Sequence, residues 1–236
     1  MTIRTTTKSA LIKLAILFMC ASAFVHAQTE SEPLQTHERV YQVELIIFSR
    51  AEVNPKEVWP KDVHLSYPEN LVALKSDANT DGFSLLPASE RTLNSQAATI
   101  SRNGSYSLLY HQAWRQTIFA RKTHIFISGV KSTNGHQELE GSISLSVGQY
   151  LKIQTNLWLS QFALPGTELT EQWPSLPPLP FTESVLGEQN ANNLIKRIVK
   201  ISEDRSMRSN EVHYIDHPLL GVIVKIIPYD APNKTN

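Results

Sequence analysis

The stretch from Leu139 to Leu159 constrains this chain most, because twice in succession it alternates its side chains with the period of a pleated strand. Leu139, Ile143, Leu145 and Val147 alternate with Glu140, Ser142, Ser144 and Ser146. After Gly148, the apolar Leu151, Ile153, Leu157 and Leu159 alternate with Lys152, Gln154, Asn156 and Trp158. A period of two puts one set on each face of a sheet, apolar inward and polar outward. Ile125 to Val130 reads as a strand ahead of them, and Asn134-Gly135 favours a type I′ hairpin turn between the first two. Three antiparallel strands with one wet face are expected.

The rest of the chain adds strands and one helix. In Tyr41 to Phe48, Tyr41, Val43, Leu45 and Ile47 share a face, while Ile46 and Phe48 make the opposite face apolar too. A strand apolar on both sides belongs in the middle of its sheet. From Pro87 a helix is expected, with Ser89 as N-cap and Glu90 in its first turn. Leu93, Ala97 and Ile100 would lie on one face, and Gly104 would close the end. Tyr106 to Trp114, Glu211 to Ile215 and Leu220 to Ile227 read as further strands, and Leu194 to Ile201, whose apolar residues fit neither period cleanly, could be helix or strand, with strand favoured by the turn at Ser209-Asn210. The loop-rich stretches are 49–85, with prolines 55, 60 and 68, and the proline-rich 162–187. The fold class expected is α+β: an antiparallel sheet of about six to seven strands, one principal helix packed on it, and long proline-rich loops.

The amino-terminal residues read as an export signal. Arg4, Lys8 and Lys13 precede an apolar run from Leu14 to Val25, and Val25-His26-Ala27 offers small residues for cleavage after Ala27. That run is about 12 residues, short of the ~20 that span a bilayer as a helix, so no stable membrane anchor is expected. Cys20 follows Phe18 and Met19, which argues against an acylated cysteine, and it is the only cysteine. The expected mature part, 28–236, is then a single cysteine-free periplasmic domain that must rely on its apolar core. Taking the three basic residues of 1–27 from 22 leaves 19 against 22 acidic ones, a net charge of −3. That balance excludes a general nucleic-acid binder.

Tyr41 to Phe48, Leu109 to Gln116, Glu138-Leu-Glu-Gly141, Tyr150-Leu151 with Asn156-Leu-Trp158, and above all Met207 to Val222 are specific strings. Together they resemble the CsiV family of periplasmic peptidoglycan-binding proteins from gammaproteobacteria. The resemblance runs in order from about residue 38 to 228. It implies a non-catalytic accessory protein that binds peptidoglycan and supports wall assembly and cell shape. It brings no set of binding residues with it.

Candidate residues therefore come from chemistry. Peptidoglycan offers sugar rings and stem-peptide carboxylates, which suit aromatic faces and guanidinium forks. Trp114, Arg115, Trp158, Arg208 and His213 are the candidate ligand-binding residues on that ground. Against them, Tyr110 and Trp114 would share a strand face opposite His111 and Arg115 and pack beneath the helix, and the proline-rich loop with Trp173 would cover Trp158. Arg205 and Arg208 would sit near a hairpin tip, solvated by default. Glu211, His213, Asp216 and His217 hold metal-ligand chemistry within seven residues but lack a zinc spacing, so no metal or other cofactor is expected. Glu138 and Glu140 are the best acid/base pair, yet nothing in the sequence marks a cleft around them. No catalytic residue is assigned. The alternatives are an adaptor that regulates a peptidoglycan synthase or its activator, and a metal-dependent wall hydrolase centred on His213 and His217.

Overall fold

The computed structural model describes residues 39–51, 60–74, 82–133, 135–164, 166–169, 171–181 and 194–230. The expected signal, 1–27, lies outside them. Among the described residues eleven strands and one α-helix are formed: β1 (Arg39–Arg50), β2 (Leu71–Ala73), β3 (Phe83–Leu85), α1 (Asn94–Arg102), β4 (Tyr106–Ile118), β5 (Thr123–Thr133), β6 (His136–Val147), β7 (Leu151–Phe162), β8 (Ile195–Ile201), β9 (Asp204–Met207), β10 (Val212–Asp216) and β11 (Leu220–Pro228). They make two sheets where one of six to seven strands was expected. The first runs β10-β11-β1-β4-β3, and the second β2-β5-β6-β7-β8, with β9 also paired to β7. Alternation shows that a strand has one apolar face, but not which sheet it joins, so the division into two was invisible.

The two sheets face each other across the main core. Val43, Leu45, Ile47, Trp114, Val222 and Val224 from the first meet Ile125, Ile127, Leu139, Ile143, Leu145 and Leu157 from the second, all fully buried. Each such aliphatic side chain gains about 1.5–3 kcal/mol on leaving water. β1 is central, between β11 and β4, as its two apolar faces require. Its far face carries Ile46 and Phe48, which pack under Leu93, Ala97 and Ile100 of the helical segment.

The helix begins later than expected. Ala88–Glu90 form a single 3-10 turn, and Arg91 is extended at ψ 135°, so Ser89 caps nothing. Arg91 is held there by donating to His111 O at 2.8 Å and to Gln112 Oε1 at 2.8 Å. α1 then starts after Leu93 with no side-chain cap of its own. Glu44, from the neighbouring strand, accepts hydrogen bonds from the Thr92 and Leu93 amides at 2.6 and 2.9 Å. A carboxylate suits the positive end of a helix whatever part of the chain supplies it.

β5, β6 and β7 are consecutive and antiparallel, in the register that the alternation implies. Thr133 pairs with His136, which leaves a two-residue turn with Gly135 at φ +86°; Asn134 lies outside the described residues. The expected wet face is different in kind. Glu140, Ser142, Ser144 and Ser146 do face away from the main core, but all four are buried. Val63, Leu65, Tyr67, Trp173 and Leu176 from the loops lie over the adjoining part of that face, packed on Trp158, Ile195 and Ile198.

Candidate functional site

A cleft of about 710 Å³ opens at one end of the molecule, where both sheets contribute strand ends. Ser49 and Arg50 close β1, Leu108 and Leu109 lie near the start of β4, and Val130 sits in β5. Glu138, Gln161, Phe162, Lys196 and Arg197 come from β6, β7 and β8, and Leu219 from the turn before β11. Aliphatic side chains, Ser49, Ser107 and Gln161 thus share the walls with three cations and one carboxylate. A concave site with a few converging polar groups is a candidate for a small polar ligand.

The backbone around the cleft is irregular. β5 shifts register between Gly129 and Ser132, and Val130 is held at φ +77°. A β-branched residue is a genuine outlier there, and such strain persists only where the surroundings over-determine it. Val130 is also 42% exposed, so the outlier stands at the surface. Its neighbour Gly129 has no room for a side chain, since a Cβ would lie 2.8 Å from Leu109 O. β4 and β5, in different sheets, approach each other closely at this point.

Arg50 is pre-positioned. It reaches Asp216 Oδ1 at 2.7 Å and donates to the Tyr214 hydroxyl, which in turn donates to Asp216 at 2.6 Å. The Tyr214 hydrogen bond does most to hold the Asp216 carboxyl below its ordinary value. Burial works the other way, and the Arg50 charge adds to the lowering. Burial and the Asp216 hydrogen bond push the Tyr214 phenol up to about 12. Asp216 is therefore bound to an arginine and a phenol.

The residues expected from sequence do not come together. Trp114 is 0% exposed in the inter-sheet core, where Nε1 donates to Gln116 Oε1 at 2.7 Å. It does not pack beneath the helix, because α1 covers the opposite face of β4, the face of His111 and Arg115. Arg115 is ion-paired to Glu90 at 2.5 Å and lies over the Tyr229 ring, 4.0 Å from its centroid. Trp158 is also 0% exposed, covered by Tyr67 at 5.0 Å between centroids and packed with Trp173. Neither indole has a face open to a sugar. Arg208 is exposed between β9 and β10, and His213 is half-buried on β10 with Nε2 3.3 Å from Glu211. None of the five lines the cleft. Arg205 lines a smaller hollow of about 260 Å³ on the second sheet, with Lys122, Ser144 and Lys152.

Two further expectations can be set against the geometry. Among the described residues no three histidine, aspartate or glutamate side chains converge as metal ligands; His217 Nδ1 accepts from the Leu219 amide at 3.2 Å. The Glu138 and Glu140 carboxyls do not share a cleft. Glu138 lines it, whereas Glu140 is fully buried, accepting from the Gln137 amide at 2.7 Å and the Tyr67 hydroxyl at 3.1 Å. His136 Nδ1 lies 3.1 Å from it. A straight strand would separate residues 136 and 140 by about 13 Å, so β6 bends here. The pairing of β6 with β5 shifts register between Gln137 and Leu139, and Gly141, just beyond, sits at φ +133°, where a Cβ would fall 2.2 Å from Asn156 O.

A sequence model of one family, described as "Peptidoglycan-binding protein, CsiV", matches residues 11–229. The chain belongs to the CsiV family. The matched span runs through every strand described above and all the residues of the cleft. No curated protein and no solved structure matches the chain. Family membership places it among proteins of the cell envelope, and no helix among the described residues is long and apolar enough to cross a membrane. Sequence reasoning missed Arg50, Lys196 and Arg197 because cations at strand ends carry no pattern. The one available signal was Gly129 inside a strand, which marks a bulge or a close backbone approach.

Proposed function

We propose that this chain is a non-catalytic accessory protein of the periplasm that holds peptidoglycan in the cleft at the end of its two sheets, and so supports wall assembly and cell shape. The family match carries the ligand class, and the cleft with its three cations carries the location. In this reading residues 1–27 are a signal cleaved after Ala27, and 28–236 work as one domain. Glu138 and Glu140 do not form an acid/base pair across the cleft, because Glu140 is sealed beneath Tyr67 while Glu138 lines the cleft. Weak, repeated contact suits the role, since partly solvated cations hold anions by modest energies.

One observation favours the adaptor reading, in which a peptidoglycan synthase or its activator is the partner. β10 is an edge strand, and its Val212 and Tyr214 are exposed. Co-sedimentation of the purified 28–236 protein with washed sacculi separates the two. Wild type is expected in the pellet, Lys196→Ala and Arg197→Ala are expected to shift to the supernatant, and Arg115→Ala and Arg208→Ala, outside the cleft, are expected to stay with wild type. Equal retention of all five would remove the cleft from the mechanism. No retention of wild type would leave the adaptor.

A further inference from the structure

We infer that the cleft takes the stem peptide of peptidoglycan and not its glycan strand, and that it recognises a carbon bearing both a carboxylate and an ammonium group. The inference rests on the wall-binding reading above. Its first support is the charge pattern. Glu138 is half-buried at the cleft and Lys196 is exposed there, and among the described residues neither side chain has a hydrogen-bond or ion-pair partner. An acid and a base share one cleft without neutralising each other. A half-buried carboxylate without a partner is unfavourable, and a ligand ammonium would relieve it with a charge-assisted hydrogen bond. The ligand's carboxylate would then face Lys196 and the Arg50 guanidinium, which Asp216 and Tyr214 already hold in place.

The second support is what the walls lack. Sugar rings are recognised by the flat faces of indoles and phenols. Among the described residues the cleft is lined by neither tryptophan nor tyrosine; their apolar surface is mostly aliphatic, with Phe162 the one aromatic ring. Such walls suit the methyl and methylene groups of a short peptide. The volume, about 710 Å³, also lies in the range of small-ligand pockets. A diamino-acid residue of the stem, with its free end carrying ammonium and carboxylate on one carbon, matches the separated charges.

The test displaces the protein from washed sacculi with three soluble probes: a stem tripeptide ending in diaminopimelate, the same peptide N-acetylated on its free side-arm amine, and glycan chains stripped of peptide. The tripeptide is expected to displace wild type. The acetylated peptide should need about tenfold more for the same effect, the loss of one charge-assisted contact, and bare glycan should not displace. In Glu138→Gln the two peptides should become equal, while Lys196→Ala should weaken both by a similar factor. Circular dichroism checks that each variant is folded. Displacement by bare glycan, or no difference between the peptides on wild type, overturns the inference while wall binding stands. Failure of sacculi to retain wild type at all overturns the wall-binding reading, and this inference with it.

Discussion

The outer faces of the two sheets each hide a glutamate beside a histidine, and they use it differently. Under the helix, Glu44 takes the Thr92 amide and hydroxyl at 2.6 and 2.9 Å, the Leu93 amide at 2.9 Å, and lies 2.8 Å from His111 Nε2. Under the loops, Glu140 takes one amide at 2.7 Å, while its contacts to Tyr67 and His136 are longer, at about 3.1 Å. Burial is the largest influence on the Glu44 carboxyl and acts to raise it, but His111 and the three donors of residues 92 and 93 together leave it below its ordinary value. Glu140 instead acts on its partner, since burial first, and then the Glu140 charge and hydrogen bond, push the Tyr67 phenol far up. One carboxylate meets the unpaired amides at the start of a helix. The other pins a loop through a single phenol.

The comparison predicts unequal costs. Glu44→Ala should destabilise by about 3–5 kcal/mol in urea unfolding, because it strips a buried histidine and two amides of their acceptor at once. Glu140→Ala should cost less, about 2 kcal/mol, as its donors are fewer and one sits on a loop that can move toward water. If the two variants unfold at the same urea concentration, the asymmetry proposed here is wrong. Tyr67→Phe should cost about 1 kcal/mol and speed protease cleavage near residues 63–67, leaving amide exchange at Leu93 unchanged. Protection lost at Leu93 as well would mean that the two faces are coupled.

The smallest effect is the one with pH. The folded Glu44 carboxyl lies below its ordinary value of 4.5. Its contribution is therefore complete above that value and fades as the pH falls through the depressed folded one. The stability difference between wild type and Glu44→Gln should be flat from pH 7 to 5 and shrink below about pH 4. A difference that grows on acidification would reverse the sign assigned to Glu44.

Legibility followed the same divide. The pairing of β5, β6 and β7 could be read from Leu139 to Leu159, and the central place of β1 from its two apolar faces, because side-chain period is a local property. The helix start at Ser89 could not be read correctly, since its acceptor is Glu44, nearly fifty residues away in sequence. A glutamate inside Tyr41 to Phe48 was itself a visible signal, because a charge in such a strand is buried only when paired. Trp114 and Trp158 were legible as aromatic and not as covered. The candidate cleft was the least legible part, for it joins Arg50, Val130, Glu138 and Lys196 from four strands.

The sequence by itself determined the longer strands, their alternating faces, the lack of cysteine after the expected signal, and the strings that mark its family, while the short β2, β3 and β9 escaped it. Only the tertiary structure decided that the strands divide into two sheets, that the polar face of β6 is covered, and that charges from distant strand ends meet at one cleft. The reason is physical. Periodicity and caps act between residues a few positions apart, whereas burial and charge proximity are set by which surfaces the folded chain brings into contact.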